Sequence, residues 1–165
     1  PYTTLFRSAS IFLSDSVYGS TSTAAVGVAC HEVGHAIQHA ENYLPIQIRQ
    51  AILPAAGFGE KLSIPLLIAG LFLSSYSQKF LYLAYAGILL YGMCVLFQVV
   101  TLPTEFDASK RALVSIERLG LLEGEELIGA QKVLRAAALT YVAGLATTMM
   151  QLLRFIVMVN NRKRD

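Results

Sequence analysis

Long apolar runs separated by short polar intervals dominate the chain. Residues 80–102 carry no charged side chain. Wound as a helix at about 1.5 Å per residue, that run is about 35 Å long, enough to cross a hydrocarbon core of about 30 Å. Residues 62–77 form a second uncharged run, about 24 Å as a helix, with Pro65 suited to its first turn and Gln78 able to extend it. Residues 136–153 form a third. It is less apolar, because of Thr140, Thr147, Thr148 and Gln151, and Arg154 and a short apolar segment follow it. The pattern predicts two or three transmembrane helices, the first two joined near Gln78 and Lys79. The third run reads either as a span or as a bundle helix lying partly against the protein, with Arg154 reaching towards the interface. A soluble all-α domain is the rival reading, but a small soluble core has little room for the 80–102 run.

Other elements are shorter. Ala24, Ala25, Ala29, Ala36 and Ala40 favour a helix over residues 24–40, and Ser20, Thr21, Ser22 and Thr23 offer N-cap hydroxyls before it. Gly27 and Gly34 weaken that helix and are expected where another backbone comes close. Asn42 and Pro45 mark its end. Residues 46–58 are amphipathic but interrupted by Pro54 and Gly57, and are expected at the membrane surface. Residues 10–13 read as a short strand followed by a turn at 14–16, suited to packing or to adding an extended substrate at its edge. Residues 103–113 continue as helix at the membrane edge, Gly120 and Gly124 mark a loop, and residues 125–135 open the last helix. The expected fold is therefore mainly α: a membrane-embedded helical bundle with a short N-terminal strand.

Composition agrees with a membrane protein. Of 165 residues, 55% are hydrophobic and 15% charged, against about 25% charged in a soluble domain. The net charge of +2 is scattered. The cluster Arg162, Lys163 and Arg164 suits an interface anchor, and nothing in the sequence points to nucleic acid. Cys30 and Cys94 are isolated, which argues against a disulfide framework or a cysteine metal site. Residues 1–8 (PYTTLFRS) resemble read-through of a sequencing adapter and are expected to be non-native. Residues 9–165 are expected to form one membrane domain, truncated at its N-terminus.

The chemistry lies in His31-Glu32-Val33-Gly34-His35, an H-E-x-x-H sequence within the 24–40 helix. Positions four apart stand one above the other on a helix, so His31 and His35 can face one zinc ion. Glu32, one step round, can reach a water on that ion as general base. The flanking residues are largely uncharged, unlike those of a solvent-facing chance match. The bland alternative is a pair of core histidines bonded to backbone. A third ligand is needed. The position six residues after His35 is Glu41, so the three-histidine extension fails. His39 shares the helical face, but one helix cannot easily surround a metal on three sides, and His39 is expected in a supporting or surface role. Glu105 follows the second span, and two crossings return the chain to the side on which it began. It is the predicted third ligand, and Asp107 is expected to orient a ligand imidazole from behind.

The chain resembles the YugP-like neutral zinc metallopeptidases of bacteria. The resemblance covers about residues 10–159 and rests on V-A-C-H-E-V-G-H-A-I-Q-H at 28–39, L-P-T-E-F-D-A-S at 102–109 with R-A-L at 111–113, and A-A-A-L-T-Y-V-A at 136–143. It implies a membrane-bound zinc peptidase with His31, His35 and Glu105 as ligands of one catalytic zinc and Glu32 as catalytic residue. Peptide or protein substrates and membrane lipid are the expected partners. The alternative function is a membrane scaffold or partner-binding protein with a structural zinc site. The excess of Lys and Arg at Arg49, Lys61, Lys110, Arg111, Arg118, Lys132 and Arg135, against Lys79 in the opposite loop, favours a multi-pass protein of the cell membrane with its site facing the cytoplasm, a case that weakens if the last helix crosses and sets Arg162, Lys163 and Arg164 on the opposite side.

Overall fold

The computed structural model describes residues 11–164. Residues 1–8, expected to be non-native, lie outside the described residues. In chain order the elements are α1 (Asp15–Tyr18), α2 (Thr23–Ala40), α3 (Leu44–Leu73), a 3₁₀ turn (Gln78–Phe80), α4 (Leu81–Leu119) and α5 (Gly124–Arg164). Three helices are long and apolar enough to cross a membrane: Leu44–Leu73, Gln78–Leu119 taken with its 3₁₀ turn, and Gly124–Arg162. The third uncharged run thus lies within a helix as long as the other two.

Two expectations need correction. The strand proposed for residues 10–13 is not found: residues 11–13 are irregular, residue 10 lies outside the described residues, and no strand occurs among the described residues. An extended segment without a neighbouring strand leaves its backbone groups unpaired, so three apolar residues in a row do not by themselves make one. The break at Pro54 and Gly57 is also absent. α3 runs through Pro54 and Pro65 without interruption, so residues 46–58 and the second uncharged run as far as Leu73 belong to one helix. A proline removes one helical hydrogen bond, but breaking the helix in apolar surroundings would expose several more backbone groups that no water could satisfy.

The chain divides into two compact units. The first comprises the described residues up to Gln47 together with Thr101–Tyr141. Its core is built from Cys30 of α2, Ala112 and Ile116 of α4, Leu122 of the connecting turn, and Ala130 and Leu134 of α5, with Val26, Leu113 and Leu127 packed against it. α2 is capped at its start by Ser22, whose side chain accepts from the Ala25 amide at 3.3 Å. It ends with Asn42 in the left-handed region (φ 55°). The Asn42 amide donates to His39 O at 3.2 Å and the Tyr43 amide to Gln38 O at 2.9 Å, the paired bonds of a Schellman cap. α4 ends in the same way at Gly120 (φ 61°), with the Leu121 amide bonded to Ile116 O at 3.0 Å.

The second unit comprises Ile48–Val100 and the residues from Val142 onward. Leu67, Leu81, Ala84, Phe155 and Val159 form its core, with Leu71, Ile88 and Tyr91 beside them. Tyr91 meets Phe155 edge to face at 5.1 Å between ring centres. α3 and α4 come so close here that a Cβ on Gly70 would stand 2.8 Å from Ala84 Cα, and one on Gly87 2.6 Å from Ser63 O. Small residues that let backbones approach are the usual device for packing helices in an apolar medium.

Candidate metal centre

The candidate site belongs wholly to the first unit. Gly34, between the two histidines of α2, makes it possible. A Cβ there would run into the Ala108 carbonyl oxygen and stand 3.1 Å from Ala108 Cα. Without one, α2 lies backbone against backbone on α4, and side chains of α4 can reach the histidine face. The close approach expected at this glycine is therefore present. At Gly27 the contact is an ordinary one, 3.9 Å from Ala130 Cβ and Leu134 Cγ of α5.

Glu105 of α4 projects to the two imidazoles. Its Oε2 lies 3.1 Å from His31 Nε2 and 3.5 Å from His35 Nε2. The rings of His31 and His35 stand nearly perpendicular, 4.7 Å apart between centres. One ligand atom from each of His31, His35 and Glu105 lies within 4.8 Å of the others, so the three could hold a metal ion. The donor set fits one. Two imidazole nitrogens and a carboxylate oxygen are a zinc-type ligand set. The Glu105 side chain is only 2% exposed, and a buried carboxylate beside two imidazole nitrogens is stabilised by a proton or a metal ion placed among them. The same requirement shows in the ionisation of His35. Burial opposes its charge, but the hydrogen bond and charge of Glu105, the contact with Gln38 and the charge of Glu32 outweigh burial and raise its pKa above the usual value.

Behind the imidazoles, each Nδ1 has a partner. His31 Nδ1 is 3.2 Å from Ser109 Oγ, and His35 Nδ1 is 3.0 Å from Gln38 Oε1. Gln38 is fully buried. Its amide nitrogen donates to Thr104 O at 2.8 Å and to Asp107 Oδ2 at 2.9 Å. Asp107 Oδ2 also accepts from Arg111 Nε at 2.6 Å, and an Arg111 terminal nitrogen donates to Glu41 Oε2 at 2.6 Å. The Arg111 guanidinium lies 5.7 Å from the centre of the Tyr43 ring.

The structure thus brings together His31, His35 and Glu105, which are 74 positions apart at their widest. Glu32 is half-buried on α2, close enough for its charge to act on His35. Asp107 differs from expectation: it reaches His35 through Gln38 and touches no imidazole directly, because the Gln38 side chain fills the gap between them. His39 is half-buried in the last turn of α2 and lies outside the three-residue cluster. Gln38 is the residue that sequence reasoning passed over. Its signal was a long polar side chain three residues after a ligand candidate, on the same helical face.

The family model described as "Putative neutral zinc metallopeptidase" matches residues 6–160. The chain is 42% identical over 153 residues to the "Putative membrane protease YugP" of Bacillus subtilis (strain 168), an alignment that covers 93% of this chain and 66% of that protein. The chain therefore spans about two thirds of the length of this relative. No solved structure matches. By the extent of the family match, this chain belongs to the neutral zinc metallopeptidase family that the model describes.

Proposed function

We propose that the chain hydrolyses peptide bonds as a membrane-bound zinc peptidase, with one zinc held by His31, His35 and Glu105 and with Glu32 as general base. The observation that carries this reading is the convergence of His31 Nε2, His35 Nε2 and Glu105 Oε2 on one buried point. Zinc, when bound, supplies a Lewis acid that polarises the scissile carbonyl and lowers the pKa of water towards about 7. The protein's own part is positional and acid–base. The imidazoles present Nε2 to the ion, and Glu105 adds a negative charge that secures it. Glu32 stands one residue from His31 and takes the proton of the attacking water on its carboxylate. It then delivers that proton to the leaving amine nitrogen. Three protein ligands leave room for the substrate carbonyl.

The reading extends to topology. Crossings by α3 and α4 return the chain to the side on which α2 lies. Lys110, Arg111, Arg118, Lys132 and Arg135 follow that return, whereas Lys79 sits in the turn between the two helices and Arg162 of α5, followed by Lys163 and Arg164, bonds Ser74 and Ser75 beside that turn. An excess of Lys and Arg marks the cytoplasmic side, so the balance places the site towards the cytoplasm, by a margin that the Arg162–Arg164 cluster narrows.

The test is hydrolysis of a casein-like substrate by detergent-purified protein. Cleavage should disappear on chelation and return with zinc. Glu32→Gln should keep one zinc per chain and lose turnover by about 10²–10⁴-fold. Unchanged turnover in that variant removes Glu32 from its role. Bound zinc with no cleavage by the parent makes the site structural.

A further inference from the structure

Gln38 stands at the centre of a chain of contacts that runs from His35 to Asp107, Arg111 and Glu41. Its orientation is decided by its surroundings. Both protons of the amide nitrogen are used, one on Thr104 O and one on Asp107 Oδ2. Turning the amide over would set its oxygen against those two acceptors, where it can donate to neither, and both bonds would be lost. The oxygen must therefore face His35. An oxygen can only accept, so at 3.0 Å His35 Nδ1 must be the donor. A neutral imidazole carries one proton. With that proton on Nδ1, Nε2 keeps its lone pair, and Nε2 is the atom that lies 3.5 Å from Glu105 Oε2.

We infer that Gln38 is a positioning residue that fixes His35 in the Nδ1–H form and so aims an unprotonated Nε2 into the ligand cluster. The inference rests on the metal reading given above only where zinc is the readout. Asp107 and Arg111 extend the device. Arg111 Nε holds Asp107 Oδ2, Asp107 Oδ2 holds one Gln38 N–H, and Gln38 Oε1 holds the imidazole. The relay joins α2 to α4, the two helices that carry the three clustered side chains, so ring orientation and helix docking are set by the same bonds. Ser109 Oγ stands in the corresponding place behind His31, at 3.2 Å from Nδ1. A hydroxyl can either donate or accept, so Ser109 permits both ring forms where Gln38 permits one.

Two substitutions separate this role from simple filling of space. Gln38→Met keeps nearly the same volume and removes every hydrogen bond. Gln38→Glu keeps an oxygen facing His35 but places a carboxylate near Asp107. If Gln38 only fills space, the methionine variant is the better tolerated. If it orients the ring, the order reverses. Zinc affinity measured by competition with a chelator should fall about 10–100-fold in Gln38→Met, and less in Gln38→Glu. The second measurement needs no metal. Nitrogen NMR of His35 in the metal-free protein, at a pH where the ring is neutral, should show the Nδ1–H form in the parent and the Nε2–H form gaining population in Gln38→Met. An Nε2–H ring in the parent overturns the inference, as does a methionine variant that matches the parent in both measurements. Should the parent bind no zinc, the metal reading fails, and the ring form measured by NMR still decides the role of Gln38. If Gln38→Met does not fold, the parent spectrum and Gln38→Glu decide the matter.

Discussion

The two units bury polar groups to different ends. In the first, His35, Gln38, Thr104, Glu105 and Ser109 are all buried, and a run of hydrogen bonds from Ser109 to Arg111 surrounds the point where three ligand atoms meet. In the second, Gln98 donates to Thr148 Oγ1 at 2.8 Å and ties α4 to α5, while Gln98 Oε1 and Ser63 Oγ have no hydrogen-bond partner among the described residues. An unpaired buried polar atom costs about 1–3 kcal/mol. The second unit tolerates two such atoms on otherwise apolar faces. The first uses its polar interior to bring three possible ligand atoms together. Helix packing, by contrast, is achieved alike in both, by glycine against backbone at Gly34 in one and at Gly70 and Gly87 in the other. The shared device builds the scaffold, and the difference in polar burial marks which unit carries chemistry.

Removing the acid that completes the cluster should have the largest effect. Glu105→Ala should lower zinc from one per chain to nearly none in metal analysis of detergent-purified protein, whereas Gln98→Leu should leave the metal content unchanged. Stoichiometric zinc in Glu105→Ala, or its loss in Gln98→Leu, breaks the contrast between the units. Overpacking comes next. Gly34→Ala and Gly70→Ala should each cost about 1–3 kcal/mol in unfolding measurements, because a Cβ at either place meets backbone. Only Gly34→Ala should also weaken zinc binding, since it pushes α2 from α4. Gly92→Ala, where a Cβ would meet nothing within 4 Å, should be neutral or stabilising by up to about 1 kcal/mol. Equal zinc loss in Gly34→Ala and Gly70→Ala would mean that the site depends on packing throughout the chain. The smallest effect belongs to Gln98→Leu itself, because the hydrogen bond it loses, worth about 0.6 kcal/mol between helices in an apolar medium, is offset by removal of the unpaired Oε1. A cost several times larger would show that polar burial is as consequential in the second unit as in the first.

Much of this was legible along the chain because it is local. The spacing of His31 and His35 and the N-cap at Ser22 are decided within one or two helical turns. So are the helix ends at Asn42 and Gly120 and the apolar runs that lie in α3, α4 and α5. Glu105 could be reached by counting apolar runs, since two of them follow His35 and Glu105 comes just after the second. Where local signals misled, the surroundings had the deciding part. Pro54 and Gly57 read as interruptions and Pro65 as a first-turn residue, yet α3 continues through all three, and an apolar run at residues 11–13 forms no strand without a partner to pair with.

The sequence by itself therefore determined where the helix with the two histidines lies, which runs are apolar enough to enter a membrane, and which side chains have the chemistry of a metal ligand. The tertiary structure alone decided what stands behind those ligands. Gln38 meets Thr104 and Asp107 across 66 and 69 positions, and Asp107 is thereby kept from direct contact with His35. The physical reason is that periodicity and capping act over a few residues, whereas a hydrogen-bond partner is chosen by how two helices dock. Here that docking depends on the missing side chain of Gly34, which lets α2 and α4 come close enough for one amide to bridge them.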